Sequence, residues 1–454
     1  MQLQKMIHAK IVTPQGIVEG GLLYETGGRI LAVGELPDVA AQTIDAGGAW
    51  AVPGGVDPHV HLGGFGKIPI ADDFYQGSLG ALAGGTTTVI DFCEPKAGES
   101  ARHCIEQRMR EASISAVDYA FHFVLTEDYA TLLQDLAYIE SMGIRDYKLF
   151  TIYDNTTLSL DDIAFIFERL RGDPERTFLI HAEDARMIGV RQAQVQTETD
   201  FRNLAWTRPP QAEANVAAAL QKLAAKMGVR VCIAHVSAKE TAALLDAPAA
   251  GGEFQMETCP HYLAFTEEKL AGKEGALYTM TPPLRQKADC DALWHQILAG
   301  KLGILSTDHC PYRRADKMGR TYRTVPCGVD GIQTRMLYLY SEGVRKRGLS
   351  MRDFVRLTSE NAARFYGLYP RKGCLAPGSD ADIVLLSPIG ETKAGVGQAQ
   401  DAIDYTIYEG MAFAGRIDRV LKAGRTVFAD GAVQAPRGSG VYLKGGKGKT
   451  DAIF

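Results

Sequence analysis

Eight short apolar runs alternate with helix-like stretches through the middle of the chain, at 56–61, 87–92, 120–124, 146–150, 177–182, 230–235, 255–258 and 302–307. Strand-to-strand connections of this length with a helix between them favour parallel pairing. Eight such units predict an α/β fold, a (β/α)8 barrel over 51–369, whose chemistry would sit at the C-terminal ends of the strands. One predicted helix runs from about 73 to 83 and stops at Gly84-Gly85, a C-cap signal. Another is expected to start with Ser359 as N-cap and end at Gly367. Strand-like runs also fall near both ends of the chain, at 7–12, 18–24 and 29–33, then at 382–386, 419–422 and 426–429. Neither group closes a core alone. They predict one discontinuous β-sandwich domain made from 1–50 and 370–435. The remaining tail, 436–454, is rich in glycine and lysine and is expected to be mobile or to lie at a subunit interface.

Composition excludes several classes. Of 454 residues, 46% are hydrophobic and 23% charged, ample material for a globular core. A net charge of −5 with no large basic stretch argues against nucleic acid or a lipid surface as partner. The start, MQLQKMIHAKIVTP, lacks a signal-peptide core, and no run approaches the ~20 apolar residues that span a bilayer. The eight cysteines are scattered without a C-x-x-C pair. They read as reduced thiols, so the expected location is cytoplasmic.

The predicted strand ends carry the chemistry. His59 and His61 lie one pleat apart at the end of the first run and leave it on one face, where two imidazoles can hold a metal ion. His181 ends the fifth run, His235 the sixth, and Asp308 follows the eighth. Lys148, near the end of the fourth, is the odd member of the set, because an ammonium would repel metal ions. Pairing with Asp146 is its ordinary explanation. The other is that burial lowers its pKa and carbon dioxide converts it to a carbamate, an anionic group able to bridge two metals. Two divalent ions among neutral imidazoles leave a strongly cationic site. Asp308, a carbamate and a hydroxide bring it close to neutral, whereas an ammonium makes it worse.

The stretches PGGVDPHVHL, AGGTTTVIDF, YKLFTIY, HAED, AHVS, ETCPHYL, TPPLR, STDHCPY, CGVDGIQTRM and LAPGSDADIVLL span nearly the whole chain. In this order they resemble the cyclic amidohydrolases of the amidohydrolase superfamily, within them the hydantoinase/dihydropyrimidinase group. The resemblance implies a binuclear divalent-metal site, with zinc as the ion. His59 and His61 would hold one ion and His181 and His235 the other, with Lys148 as N6-carboxylysine between them, charged by carbon dioxide or bicarbonate. Asp308 would bind the first ion and carry the proton. Tyr153 would hydrogen-bond the oxyanion, and main-chain groups of Thr281 and Cys327 would anchor substrate. His309 and His261 read as supporting residues. The implied assembly is a homotetramer, or a dimer.

The expected reaction is hydrolytic ring opening of a cyclic amide or ureide. No arginine follows the His-x-His pair, which argues against a carboxylate-bearing ring such as dihydroorotate. The apolar loop 62–70, with Phe150 and Ile152, is expected to receive a hydrophobic ring substituent. That points to 5-substituted hydantoins or dihydropyrimidines giving N-carbamoyl amino acids. An allantoinase or another cyclic-ureide hydrolase stands as the alternative. A non-catalytic, dihydropyrimidinase-like assembly protein is more distant, because every ligand position is filled.

Overall fold

The computed structural model describes residues 2–64, 68–247 and 251–445. Eight parallel strands stand side by side in chain order: Gly55–Asp57, Thr86–Cys93, Asp118–Val124, Asp146–Phe150, Thr177–His181, Arg230–Ile233, Glu253–Thr258 and Ile304–Leu305. Each matches one of the runs read from the sequence, with the first, fifth, sixth and last shorter than expected. Both faces of these strands are buried, so their side chains sort by period two. Val56, Ile90, Ala120, Leu179, Cys232 and Ile304 pack together inside the barrel. Val89, Phe121, Tyr147, Leu149, Phe178 and Ile180 face the surrounding helices. Lys148 lies between Tyr147 and Leu149, so alternation turns it inward, beside Leu179 on the next strand.

The seam between the first and eighth strands closes through main chain beyond their ends. Val60 bridges to His309, and His61 N–H donates to the His309 carbonyl at 2.8 Å. At the other end of the seam lies Arg335, a fully buried guanidinium. Its Nη1 donates to the carbonyls of Val56, Leu305 and Thr358, and its Nη2 to the Thr86 hydroxyl. It thus ties the first, second and eighth strands together. Arg335→Met is expected to lower stability by about 3–5 kcal/mol, because several buried acceptors lose a charged donor together. The midpoint of urea unfolding reads this loss, and an unchanged midpoint would show that the clamp carries no load.

The helix Phe74–Ala83 begins at Asp73, whose carboxylate accepts from Tyr75 N and Gln76 N. It ends where Gly85 takes a φ of +83°, a conformation that glycine enters without a Cβ clash. Ser359 is not an N-cap. A continuous helical run starts with Ser350 as cap and passes through Met351–Val355, Arg356–Glu360 and Asn361–Phe365, leaving Ser359 fully buried inside it. The Ser-x-x capping pattern that matters is the one nine residues earlier.

Strands from both ends of the chain form one nine-stranded mixed sheet. The two halves meet where Trp50–Pro53 pairs antiparallel with Ile383–Lys393. Trp50–Pro53 then runs straight into the first barrel strand, so the junction of sheet and barrel immediately precedes His59. Residues 438–445 lie against the barrel of their own chain: Tyr119 N–H donates to Val441 O, and Leu443 N–H to Tyr119 O. The rest of the tail, 446–454, lies outside the described residues. Among those described, no helix is long and apolar enough to cross a membrane, and the eight cysteines are free thiols.

Candidate active site

The residues singled out from the sequence meet at the C-terminal rim of the barrel. His59, His61, Lys148, Tyr153, His181, His235, Thr281, Asp308 and Cys327 line one cavity of about 260 Å³. A larger cavity, about 760 Å³, lies between barrel and sheet and contains none of them.

The donors fall into two groups. His59 Nε2 and His61 Nε2 each lie 3.2 Å from Asp308 Oδ1. His181 Nδ1 faces His235 Nε2 at 2.9 Å. Three residues of the cavity hold left-handed backbone: His235 at φ +39°, Asp308 at +49° and Tyr153 at +97°. Such conformations cost side-chain-bearing residues about 1–3 kcal/mol each and persist only where surrounding structure enforces them. Here they turn side chains over the barrel mouth just past the strand ends.

Burial sets the protonation states. It pushes the imidazoles of His59 and His235 well below their usual range, which leaves them neutral and able to donate a lone pair. His181 moves the same way, against the opposing pull of Glu183. Burial works against the charge on Asp308, but the imidazoles of His59 and His235 and the hydrogen bond with His61 outweigh it and hold the carboxyl below its ordinary range. Burial also raises the Tyr153 phenol, so it stays protonated and able to donate.

Lys148 has no hydrogen-bond partner for its Nζ. Asp146, the alternative partner, binds the Thr177 hydroxyl instead, at 2.5 Å. The Nζ stands 4.9 Å from the Phe150 ring centre and 5.4 Å from that of Phe92. Burial lowers its pKa, opposed by the carboxylates of Glu257 and Asp308. A fully buried amine without a partner, four imidazoles and one carboxylate together suit divalent metal. Donor atoms of His59, His235 and Asp308 lie within 4.8 Å of one another, close enough to share an ion.

Sequence reasoning missed the residues behind these donors. Glu257 Oε1 binds His59 Nδ1 at 2.5 Å, and Glu183 Oε2 binds His181 Nε2 at 2.7 Å. Arg208 pairs with Glu183 in turn. Carboxylates in these positions fix which imidazole nitrogen faces the site. Glu183 follows His181 by two residues on one strand end, a signal that was present in HAED. Glu94 also lines the cavity, and nothing in its local sequence marks it. The two supporting histidines differ: His309 binds Asp72 at 2.8 Å, whereas both ring nitrogens of His261 lack a hydrogen-bond partner. In the loop expected to receive an apolar substituent, Leu62 is buried under the helix Phe74–Ala83, and residues 65–67 lie outside the described residues. Phe150 does line the cavity, and Ile152 does not.

The model of the Amidohydrolase family matches residues 50–427. The chain belongs to this family. A D-hydantoinase from Geobacillus stearothermophilus is 34% identical over 96% of this chain and 95% of its own. A D-phenylhydantoinase from Escherichia coli is 32% identical over 96% of each. The crystal structure of a dihydropyrimidinase from Brevibacillus agri superposes with a TM-score of 0.92 at 32% identity, covering 98% of both chains. This amidohydrolase therefore groups with the hydantoinases and dihydropyrimidinases. Membership implies a divalent-metal centre, and candidate ligand groups for one are present.

Proposed function

We propose that this amidohydrolase opens the ring of 5-substituted hydantoins or of dihydropyrimidines, giving N-carbamoyl amino acids. Water adds across a ring amide: oxygen goes to the carbonyl carbon, the carbon–nitrogen bond breaks, and a proton goes to the departing nitrogen. The observation that carries this reading is the buried, unpartnered Lys148 Nζ, set among four imidazoles and Asp308 in a cavity that also holds Tyr153, Thr281 and Cys327.

His59, His61 and Asp308 would hold one zinc ion, and His181 and His235 a second, with Lys148 as a carbamate between them. When bound, such ions make hydroxide available near neutral pH and polarise the carbonyl. The chain's own groups do the rest. Asp308 takes the proton of the attacking water and returns it to the leaving nitrogen, first as base and then as acid. Tyr153 donates its phenolic hydrogen to the carbonyl oxygen as negative charge builds there. Its present partner, Thr281 Oγ1 at 2.7 Å, keeps the ring of Tyr153 aimed across the cavity. Main-chain groups of Thr281 and Cys327 hold the imide edge of the ring. The homotetramer and the cytoplasmic location are carried over from the resemblance and the reduced thiols.

The test is hydrolysis by protein supplied with zinc and bicarbonate. The substrates are dihydrouracil, 5-phenylhydantoin, allantoin and dihydroorotate. Opening of either of the first two is the expected result. Opening of allantoin or dihydroorotate alone would move the assignment to another cyclic-amide hydrolase.

A further inference from the structure

Glu94 directly follows the second barrel strand, Thr86–Cys93, and so stands at the rim where the chemistry lies. It lines the cavity that holds His59, His61, Lys148 and Asp308. It also lines a smaller neighbouring cavity, about 80 Å³, with Gly64, Lys96, Gln107 and Arg108. The side chain therefore forms part of the wall between the two. Its Oε2 is buried and has no hydrogen-bond partner. Among the described residues, His61, Arg108 and Lys148 attract its charge through space, and His61 and Lys148 belong to the proposed metal centre. Arg108 serves Asp91, Glu111 and the Leu62 carbonyl. Glu99 accepts from Lys96 N and pairs with His103. The Lys96 side chain is exposed.

Glu94 is half-buried, and a carboxylate oxygen taken out of water without a donor is unfavourable unless something supplies one. The ring of a substrate would occupy the larger cavity, beside Tyr153 and Thr281. A chain leaving that ring toward Glu94 meets the carboxylate before it reaches the smaller cavity. An apolar chain would leave the oxygen desolvated and still unpartnered. A nitrogen cation would supply charge and N–H donors at once.

We propose that Glu94 is a specificity residue that receives an ammonium or guanidinium group on the 5-substituent of the ring. This rests on the ring-opening activity proposed above and names the substrate class within it. It replaces the apolar substituent expected from the loop 62–70 with a basic one.

The test compares 5-(4-aminobutyl)hydantoin with 5-pentylhydantoin, which has a methyl group where the first has an ammonium. The metal-loaded protein is expected to favour the ammonium compound by about 10- to 100-fold in kcat/KM, the range for a site built around one charged hydrogen bond. Glu94→Gln should bring that ratio close to one. The anionic 5-(2-carboxyethyl)hydantoin should be the poorest of the three and gain relative to the others in Glu94→Gln. A wild-type ratio near one, or a ratio that survives in Glu94→Gln, overturns the inference. Glu94→Leu gives a second reading, since it should reverse the preference toward the pentyl compound. Calorimetric affinities for the same pair decide the point without turnover. Failure to open any ring would refute the activity, while the affinity ratio would still judge Glu94.

Discussion

Ring opening is expected to fall by about 10³-fold or more in Lys148→Ala, with bound metal lost in parallel. The size follows from what the side chain does in the proposed centre. Removing one hydrogen-bond donor from an active site typically lowers rate by about 10²–10³-fold. Lys148, as a carbamate, would supply both a ligand and the negative charge that keeps two cations together. Truncation leaves a space between the two donor groups, lined by Phe92 and Phe150. A short carboxylate such as acetate or propionate fits that description chemically, so either should restore part of both activity and metal content. Carboxylation itself has a pH signature. Only the neutral amine attacks carbon dioxide, and burial holds the Lys148 pKa below that of an exposed lysine. Reloading of metal-stripped protein, at fixed dissolved carbon dioxide, should therefore accelerate as pH rises through neutrality. A Lys148→Ala protein that kept two ions per chain and its full kcat would remove the bridging role altogether.

The parts of the fold that were legible are those where burial leaves a local trace. Strands buried on both faces read as apolar runs, so all eight barrel strands could be found without knowing their partners. His59, His61, His181 and His235 stood out because they fall together at or just past the ends of such runs. Lys148 stood out for its sign, a cation in the middle of one run between Tyr147 and Leu149. Residues defined by distant contacts left no comparable trace. Glu257 supports His59 across 198 positions of sequence, and no local pattern distinguishes it from a carboxylate on a solvated strand end. Arg335 acts on groups brought close only by barrel closure, and Arg208 reaches Glu183 across 25 positions of the connection between two neighbouring strands. The Ser359 error has a related cause. Ser-Glu-Asn matches a helix start locally, but the apolar positions Phe354, Val355 and Leu357 before it continue the same buried face, and packing overrode the cap.

Asp308→Asn should lower kcat by about 10²–10⁴-fold, the range for a positioned general acid–base group. Asparagine keeps the shape of the side chain and removes both the charge and the ability to take a proton. The turn that presents it, at φ +49°, belongs to the main chain and suits asparagine as well as aspartate. Because His59, His61, His181, His235 and Lys148 remain, bound metal should fall less than in Lys148→Ala. The contrast separates the two roles: one variant loses the ions, and the other keeps them and loses the proton carrier. The proton's destination gives a further check. If Asp308 protonates the departing nitrogen, a ring analogue whose leaving atom is a weaker base should lose less in the variant, because it can depart without a proton. An equal loss for both leaving atoms would confine Asp308 to activating water and binding the first ion. A loss that simply tracked metal content would deny it any proton at all.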